Sequence, residues 1–329
     1  MIDSGVDSGG LDGGGPVDGG LVDGGLVDGE QPGEAGPRVL RGHGTENDFV
    51  VLPDPDGDVW PDSRLDGPLV RRLCDRRGGF GGDGVLRVVR SAHVPDAPAV
   101  LGDALADCTW FMDHRNADGS HAEMCGNGIR LFLHVLLTEG LLDPVDAEEG
   151  VLVGTRGGPR RVGTSAGGTY WVDMGPARPL GRSEATVGGR VFGGLGVSMG
   201  NPHLACLTDV SVDALDLGTQ PGVDAAFFPE GVNVEMVNVL AAAEDAEGTR
   251  LHVRLRVFER GVGETRSCGT GACAAAYAAL EAAGRDAGMV TVDVPGGRLS
   301  VDVAPETTVL SGPAVVVATG ALTREWLAG

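Results

Sequence analysis

Two short segments of the sequence place a cysteine in a glycine-rich turn directly before an apolar, helix-like stretch. They are Met124-Cys125-Gly126-Asn127-Gly128 and Ser267-Cys268-Gly269-Thr270-Gly271. The stretches that follow, 129–137 and 272–283, are predicted to be helices. A thiol at a helix N-terminus faces unpaired backbone N–H groups and the positive end of the helix dipole, and both favour the thiolate. A matching pair, one in each half of the chain, predicts two acid/base groups on opposite faces of one substrate.

The glycines beside each cysteine predict an anion-binding site. They let backbone N–H groups point into a cavity, where a substrate carboxylate can be held as negative charge accumulates in an enolate-like transition state. A thiolate on one face and a thiol on the other would remove and return the α-proton, which inverts the carbon centre. A single buried cysteine is more often structural. The matching sequence contexts of the two cysteines favour a catalytic role for both.

Other polar residues gather around glycine-rich turns. Asn201 and His203 follow a glycine-rich strand, and Glu259 and Arg260 adjoin where a predicted strand enters a loop. Each has an ordinary structural interpretation as a core histidine or a surface charge, and Asn116 is typical of a turn. The remaining cysteines are predicted to be buried structural thiols: Cys74, Cys108, Cys206 and Cys273. The spacing of Cys268 and Cys273 does not indicate zinc, because no second ligand pair accompanies it, so we expect no metal site.

Composition excludes several classes of function. All 25 cationic residues are arginine, whereas pyridoxal-phosphate enzymes hold their cofactor through a lysine and P-loop nucleotidases need a lysine on the phosphates. Carbanion chemistry is therefore expected to proceed without that cofactor. The formal charge of −22 argues against nucleic acid as a partner, because phosphate binding relies on clustered cations.

No segment of the sequence indicates a membrane or a secretory route. No apolar run approaches the ~20 residues that span a bilayer, and the N-terminus lacks the features of a signal peptide. We therefore expect a cytoplasmic protein with free thiols and no membrane partner. Residues 1–36 carry eight acidic residues and no basic ones, which predicts a disordered acidic, glycine-rich tail.

Short strand signals dominate the rest of the chain, and long helices are few. The two helices after the cysteines are apolar nearly all round, so they belong inside the fold. We predict an α/β (α+β) fold of two pseudo-symmetric halves, each a curved, mostly antiparallel sheet wrapped around a central helix. The active site is expected in the cleft between the halves.

Taken together, these motifs resemble the diaminopimelate epimerase family. The matching segments are 42–50, 116–120, 125–128, 199–203, 232–233, 256–265, 268–273 and 294–297. The resemblance runs from about residue 38 to the C-terminus and includes both cysteine loops. Two departures bear on the site: Glu46 stands where glycine is usual, and Thr270 stands where serine is more frequent.

The resemblance implies that Cys125 and Cys268 are the acid/base pair and that His203 and Glu259 adjust their protonation. It implies that the carboxylate at the reacting centre is bound by Gly126, Asn127, Gly269 and Thr270. The distal amino-acid end of the substrate would be held by Asn47, Asn116, Asn201, Asn233 and Arg260. Glu259 would also lie near the substrate amino group.

The implied reaction interconverts LL-2,6-diaminopimelate and meso-diaminopimelate, a step of lysine and peptidoglycan precursor biosynthesis, without a cofactor. The resemblance also implies a homodimer and a C-terminal strand that returns to the first half. The expected division is 37–173 plus 314–329 for the half with Cys125, and 174–313 for the half with Cys268.

Two alternative functions remain open. One is another two-thiol racemase, acting on proline, hydroxyproline or a different amino acid. Arg260 and the asparagine set favour a substrate with a second carboxylate, because the arginine fork reads carboxylate geometry. The other is a thiol-based redox or amino-acid-binding protein without turnover, in which a Cys125–Cys268 disulfide would be the functional state.

Overall fold

The computed structural model describes residues 36–165, 167–245 and 248–329 of the chain. The predicted acidic tail lies outside these residues, apart from Gly36. None of the helices in the described ranges is long and apolar enough to cross a membrane.

Eighteen strands and six α-helices make up the described fold. The strands are β1 Arg38–Gly44, β2 Asn47–Pro53, β3 Gly84–Arg90, β4 Trp110–Asn116, β5 Val151–Gly154, β6 Arg160–Ser165, β7 Thr169–Asp173, β8 Arg178–Val187, β9 Arg190–Ser198, β10 Pro202–Leu207, β11 Gly222–Val223, β12 Asn233–Asp245, β13 Gly248–Glu259, β14 Gly263–Thr265, β15 Gly288–Val294, β16 Gly297–Val303, β17 Thr308–Gly312 and β18 Val315–Ala321. The helices are α1 Gly67–Cys74, α2 Ala97–Leu101, α3 Gly126–Thr138, α4 Pro144–Glu149, α5 Gly269–Ala282 and α6 Arg324–Ala328.

The strand pairing repeats itself. In the first unit the order is β18-β1-β2-β3-β4-β5-β6-β7, and only the β2–β3 and β4–β5 pairs are parallel. The second unit has the order β8-β9-β10-β12-β13-β15-β16-β17, with β10–β12 and β13–β15 as its parallel pairs. An antiparallel β7–β17 pair joins the two units into one sheet. The same directions in the same order support an origin by internal duplication.

Each unit wraps around one long helix. Helix α3 packs against β18 and most of β1 to β7, and α5 packs against most of the corresponding strands of the second unit. Within α3 the buried side chains include Ile129, Leu131, Phe132 and Leu136, each of which stabilises the fold by roughly 1.5–3 kcal/mol. In α5 the buried face is mostly alanine, which allows the strands to lie close to the helix axis. The predicted α+β fold of two similar halves is therefore confirmed.

The first unit is completed by a strand that is distant in sequence from the rest of the unit. β18, at the C-terminal end of the chain, pairs antiparallel with β1 and occupies the place that β8 takes beside β9. The N-termini of α3 and α5 meet where the two units face each other, and this meeting point positions the site.

Candidate active site

Both cysteines are the N-cap residues of the two central helices. Cys125 and Cys268 have extended backbones. The Cys125 sulfur accepts a hydrogen bond from the N–H of Gly128, and the Cys268 sulfur accepts one from the N–H of Gly271, each at 3.4 Å. An N-cap side chain with this geometry satisfies one of the unpaired amides of the first helical turn. The sequence therefore builds the same sulfur–amide arrangement twice.

The two helix N-termini touch through glycine. A Cβ built on Gly269 would lie 3.2 Å from the Cα of Gly126, and one built on Gly126 would lie 3.5 Å from the Cα of Gly269. Leu310 of β17 packs against both positions. Side chains here would push the loops apart, so glycine is needed for this close approach. The N–H groups of Gly126 and Gly269 have no acceptor among the described residues, which leaves them available to an anion.

The predicted substrate residues collect at the ends of elements around this contact. Asn47 begins β2, Asn116 ends β4, Asn233 begins β12 and Glu259 ends β13. Parallel pairing places His203 of β10 opposite Asn233. Rigid strands thus hold side chains whose positions in sequence are far apart.

Cys125 is partly exposed and lies among amides. Its thiol donates to Asn47 Oδ1 at 3.5 Å, and the same oxygen accepts from Asn127 Nδ2 at 3.3 Å. Burial raises the pKa of the Cys125 thiol, the N–H groups of Gly128 and Asn127 lower it, and the charge of Arg130 lowers it further. Glu259 acts in the opposite direction.

Cys268 is buried and lies among acids. Burial raises its pKa well above the ordinary value, and the carboxylates of Glu259 and Glu235 raise it further. Thr270 Oγ1, at 3.4 Å from the sulfur, and the N–H of Gly271 act in the opposite direction. Glu259 itself has a raised pKa because it is buried, although hydrogen bonds from Thr265 and Cys268 offset part of the effect.

Both ring nitrogens of His203 lie within hydrogen-bond distance of another side chain. Its Nδ1 lies 2.6 Å from Glu235 Oε1 and its Nε2 lies 3.0 Å from Asn201 Oδ1, and both His203 and Glu235 are fully buried. Burial raises the pKa of Glu235 to about 7, and His203 opposes that shift. The second carboxyl oxygen of Glu235 has no hydrogen-bond partner among the described residues.

The predicted distal contacts are partly occupied by protein. The side chain of Asn116 bonds Ser120, while Asn233 Oδ1 accepts the backbone N–H of Arg260 at 2.9 Å. Arg260 donates one side-chain N–H to the Glu230 carbonyl, and it forms an ion pair with no acidic side chain among the described residues. Its guanidinium therefore keeps donors that a second substrate carboxylate would match.

A strained hairpin tip connects the two cysteine loops. Thr45 and Glu46 form the two-residue turn between β1 and β2, with φ of 49° and 62°, the left-handed region that favours glycine. Thr45 Oγ1 lies 2.7 Å from Ser267 Oγ, and Glu46 pairs with Arg266. The tip of the first unit thus docks on the residues that precede Cys268.

Sequence reasoning missed several residues of this site, namely Thr45, Arg130, Glu235 and Ser267. A signal for Glu235 was available: it lies two residues after Asn233 in a strand, so both side chains share one face. The other three belong to the contact between the loops and have no signal in sequence spacing. Among the described residues no group of three or more His, Cys, Asp or Glu side chains could hold a metal ion.

Comparison with known proteins identifies the family. The family model of diaminopimelate epimerase matches residues 39–180 and 195–321. The chain belongs to the diaminopimelate epimerase family, whose members are isomerases. It is similar to the diaminopimelate epimerase of Rhodococcus jostii, with 49% identity over 299 residues, covering 88% of this chain and 98% of the relative. The corresponding enzyme of Mycolicibacterium paratuberculosis is 50% identical over 303 residues, with the same two coverages.

Solved structures of lower identity share the fold. A phenazine biosynthesis PhzF-family protein from Enterococcus faecalis matches with a TM-score of 0.57 at 12% identity, over 87% of this chain and 99% of that one. A hydroxyproline epimerase from Agrobacterium vitis matches with a TM-score of 0.54 at 17% identity, over 87% and 93% of the two chains. The predicted family and the predicted class of enzyme are confirmed by the family match and by the relatives at about half identity, whereas these structures show the fold alone.

Proposed function

We propose that this chain interconverts LL-2,6-diaminopimelate and meso-diaminopimelate by proton transfer between two sulfur atoms and one α-carbon. The observation that carries the proposal is the pair of cysteine N-caps on helices whose N-termini touch through Gly126 and Gly269. The relatives named above carry the name of this activity at about half identity.

The proposed step is balanced by two thiols. One cysteine, as the thiolate, takes the α-proton: its S–H bond forms, the Cα–H bond breaks, and the electron pair moves into the substrate carboxylate. The other cysteine, as the thiol, delivers its proton to the opposite face, so a new Cα–H bond forms and that sulfur becomes the thiolate. Free amides at both helix N-termini would stabilise the doubly charged carboxylate. No external acid, base or oxidant is required.

For the remaining site residues we propose the roles that the family resemblance implies. Gly126, Asn127, Gly269 and Thr270 bind the reacting carboxylate through their backbone N–H groups. Asn47, Asn116, Asn201, Asn233 and Arg260 bind the distal end. His203 and Glu259 set the protonation of the thiols, and Glu259 also contacts the substrate amino group. The unpaired guanidinium of Arg260 favours a substrate with a second carboxylate over proline or hydroxyproline.

Incubation of the purified protein with LL-diaminopimelate in deuterated water, followed by chiral analysis and mass measurement, tests this function. We expect meso product carrying one deuterium at the inverted carbon, without added cofactor. Turnover of proline or hydroxyproline, with none of diaminopimelate, would select the alternative racemase. Binding without isotope exchange, or activity only in a Cys125–Cys268 disulfide form, would select the non-catalytic alternative.

We also propose that the enzyme is a homodimer paired through β18. This strand bonds only β1 among the described strands, and its Val315 and Val317 are 44% and 61% exposed. An exposed apolar edge strand is a template for another chain, and a two-fold axis would pair it with its own copy. Light scattering should show a dimer that Val317→Asp dissociates. Val191→Asp, at a 56% exposed position on β9, is the matched control and should remain dimeric.

The division into 37–173 plus 314–329 and 174–313 is proposed on the repeated pairing order, which changes from one unit to the other at the β7–β8 connection and again after β17. A cytoplasmic location is proposed because the mechanism needs two reduced thiols, which a reducing compartment preserves.

A further inference from the structure

Arg130 is a buried cation without an anionic partner. It lies in α3, five residues after Cys125, and is 1% exposed. Its recorded hydrogen-bond partners are all neutral, and no carboxylate of the described residues forms an ion pair with it. Burial lowers its pKa to about 10, which still leaves the guanidinium charged at neutral pH. Burying an unpaired charge costs several kcal/mol, so the fold retains Arg130 at a penalty that structure alone does not explain.

The guanidinium orients the amides beside Cys125. It donates from Nη1 to the Gly126 carbonyl at 2.9 Å and from Nη2 to Asn127 Oδ1 at 2.9 Å. In a trans peptide the C=O and the following N–H point in opposite directions. A Gly126 carbonyl held by Arg130 therefore turns the Asn127 N–H away from Arg130 and towards the sulfur, which that N–H stabilises.

The same contacts continue into the Cys268 loop. Nη2 also reaches Thr45 Oγ1 at 3.3 Å, and that hydroxyl lies 2.7 Å from Ser267 Oγ. With its oxygen held by Arg130, Asn127 directs Nδ2 to the Ser267 carbonyl at 3.1 Å. Ser267 directly precedes Cys268. One cation thus anchors a chain of hydrogen bonds that joins the loops carrying both sulfur atoms.

The space around the guanidinium is fixed by backbone. A Cβ on Gly44 would lie 3.1 Å from Nη2, and one on Gly312 would lie 3.3 Å from Nε. The equivalent position of the second helix holds Cys273, a small thiol whose pKa burial raises to about 12, so it stays neutral near Arg130. A single guanidinium therefore occupies the space between the two helices.

We propose that Arg130 is a positioning residue that holds the two cysteine loops in register and supplies the positive charge that favours an anion at Cys125. This inference rests on the proposed function only for its effect on turnover. The charged groups that act on Cys125 are Arg130 from its own helix and Glu259 from β13. Arg130 in turn faces Cys125 and Cys273.

The first measurement needs no substrate. The rate at which iodoacetamide alkylates Cys125, followed by peptide mass mapping across pH, reports the thiolate directly. In Arg130→Met the midpoint of this profile should move up by about one pH unit, a tenfold lower rate at neutral pH. Arg130→Lys retains the charge and should keep the midpoint. Arg87→Met is the matched control: Arg87 is also 1% exposed, but it pairs with Asp54 and Asp113 away from the site, so the midpoint should not move.

Measuring turnover distinguishes the positioning role of Arg130 from the role of its charge. Arg130→Lys loses the fork that holds Gly126 and Asn127 together, so kcat should fall about tenfold with an unchanged midpoint of alkylation. Ser267→Ala removes the hydroxyl link to Thr45 and keeps the backbone carbonyl that Asn127 bonds, so it should lower kcat in part while leaving the pH profile in place. An unshifted midpoint in Arg130→Met would overturn the role of the charge, and full kcat in both Arg130→Lys and Ser267→Ala would overturn the positioning role.

These outcomes are distinguishable from failure of the proposed function. A wild-type protein that does not epimerise diaminopimelate would overturn the proposed function and leave the alkylation result intact. If Arg130→Met does not fold, the Arg130→Lys and Ser267→Ala variants still decide the positioning role. In that case Arg130→Gln replaces it in the alkylation measurement, with the same upward shift expected.

Discussion

The two cysteine loops have similar backbones and different electrostatic surroundings. Both sulfur atoms cap a central helix and accept one amide at 3.4 Å. Cys125, partly exposed, has one acid, Glu259, and one cation, Arg130, acting on it, and the amide of Asn47 beside it. Cys268, buried, has two acids, Glu259 and Glu235, acting on it. The repeated scaffold has thus kept its sulfur–amide geometry and diverged in charge.

This difference acts on the pKa values of the two thiols. Burial raises the pKa of both. Glu259 and Glu235 raise that of Cys268 further, whereas Glu259 raises and Arg130 lowers that of Cys125. In the proposed step the two sulfur atoms exchange charge, so their titrations would belong to the pair. A substrate centre of either hand would then be served by the same two groups, one charged and one neutral.

Removing either sulfur should have the largest effect. Cys125→Ser and Cys268→Ser each replace a thiol by a hydroxyl that is too weakly acidic for the step, so kcat for epimerisation should fall by about 10³-fold. Deuterium exchange and chiral analysis measure the loss. Cys74→Ser, at a buried thiol outside the site, should retain activity. A single variant with near wild-type turnover would mean that the pair does not act as two bases.

The variant Glu235→Gln tests one of the two acids that act on Cys268. Glu235 has an ordinary pKa of 4.5 that burial raises to about 7. Below pH 4.5 the carboxyl is protonated in the folded and unfolded chain alike. Between pH 4.5 and 7 only the unfolded chain releases the proton, so the stability present at low pH is lost as the pH rises, by about 3 kcal/mol.

Denaturant unfolding at pH 5 and pH 8 should show this loss in the wild type. In Glu235→Gln the difference between the two pH values should shrink by about the same amount. Glu281→Gln, at an exposed acid of α5, is the control and should behave as the wild type. An undiminished difference in Glu235→Gln would mean that this carboxyl does not carry the raised pKa.

A smaller effect should follow from Thr270→Val. The Thr270 hydroxyl lies 3.4 Å from the Cys268 sulfur and lowers its pKa. Valine keeps the shape and removes the hydrogen bond, worth about 1 kcal/mol, so kcat should fall roughly fivefold. The alkylation profile of Cys268 should move to higher pH while that of Cys125 stays in place. Thr138→Val, where the hydroxyl bonds only its own helix, is the matched control.

The fold and the acid/base candidates could be predicted from the sequence because both depend on local patterns. Cysteine-glycine turns before apolar stretches predicted α3 and α5, and the short strand signals predicted a fold dominated by sheet. The polar contact between the two cysteine loops could not be predicted from the sequence. Thr45, Arg130 and Ser267 meet only because two units face each other, and nothing in their spacing records that contact. Asn127 shows the consequence, since its fully buried side chain bonds protein groups of both loops.

The smallest effect should come from Glu46→Gly, which places the usual family residue at the hairpin tip. Glu46 has a φ of 62°, so glycine relieves backbone strain, but it adds freedom to the unfolded chain and removes an exposed ion pair with Arg266. These contributions oppose each other, so the free energy of unfolding should change by less than about 1 kcal/mol. The loss of one exposed acid near the Cys268 loop should leave the pH profile of kcat/KM in place, because solvent screens it.

Thr45→Gly, at the neighbouring residue of the same turn, is the informative contrast. It also relieves a positive φ, but it removes the buried hydroxyl that reaches Ser267, so it should destabilise the protein by about 1–3 kcal/mol. A clear shift of the kcat/KM profile in Glu46→Gly would show that surface charge, rather than the buried acids, sets the difference between the two cysteines.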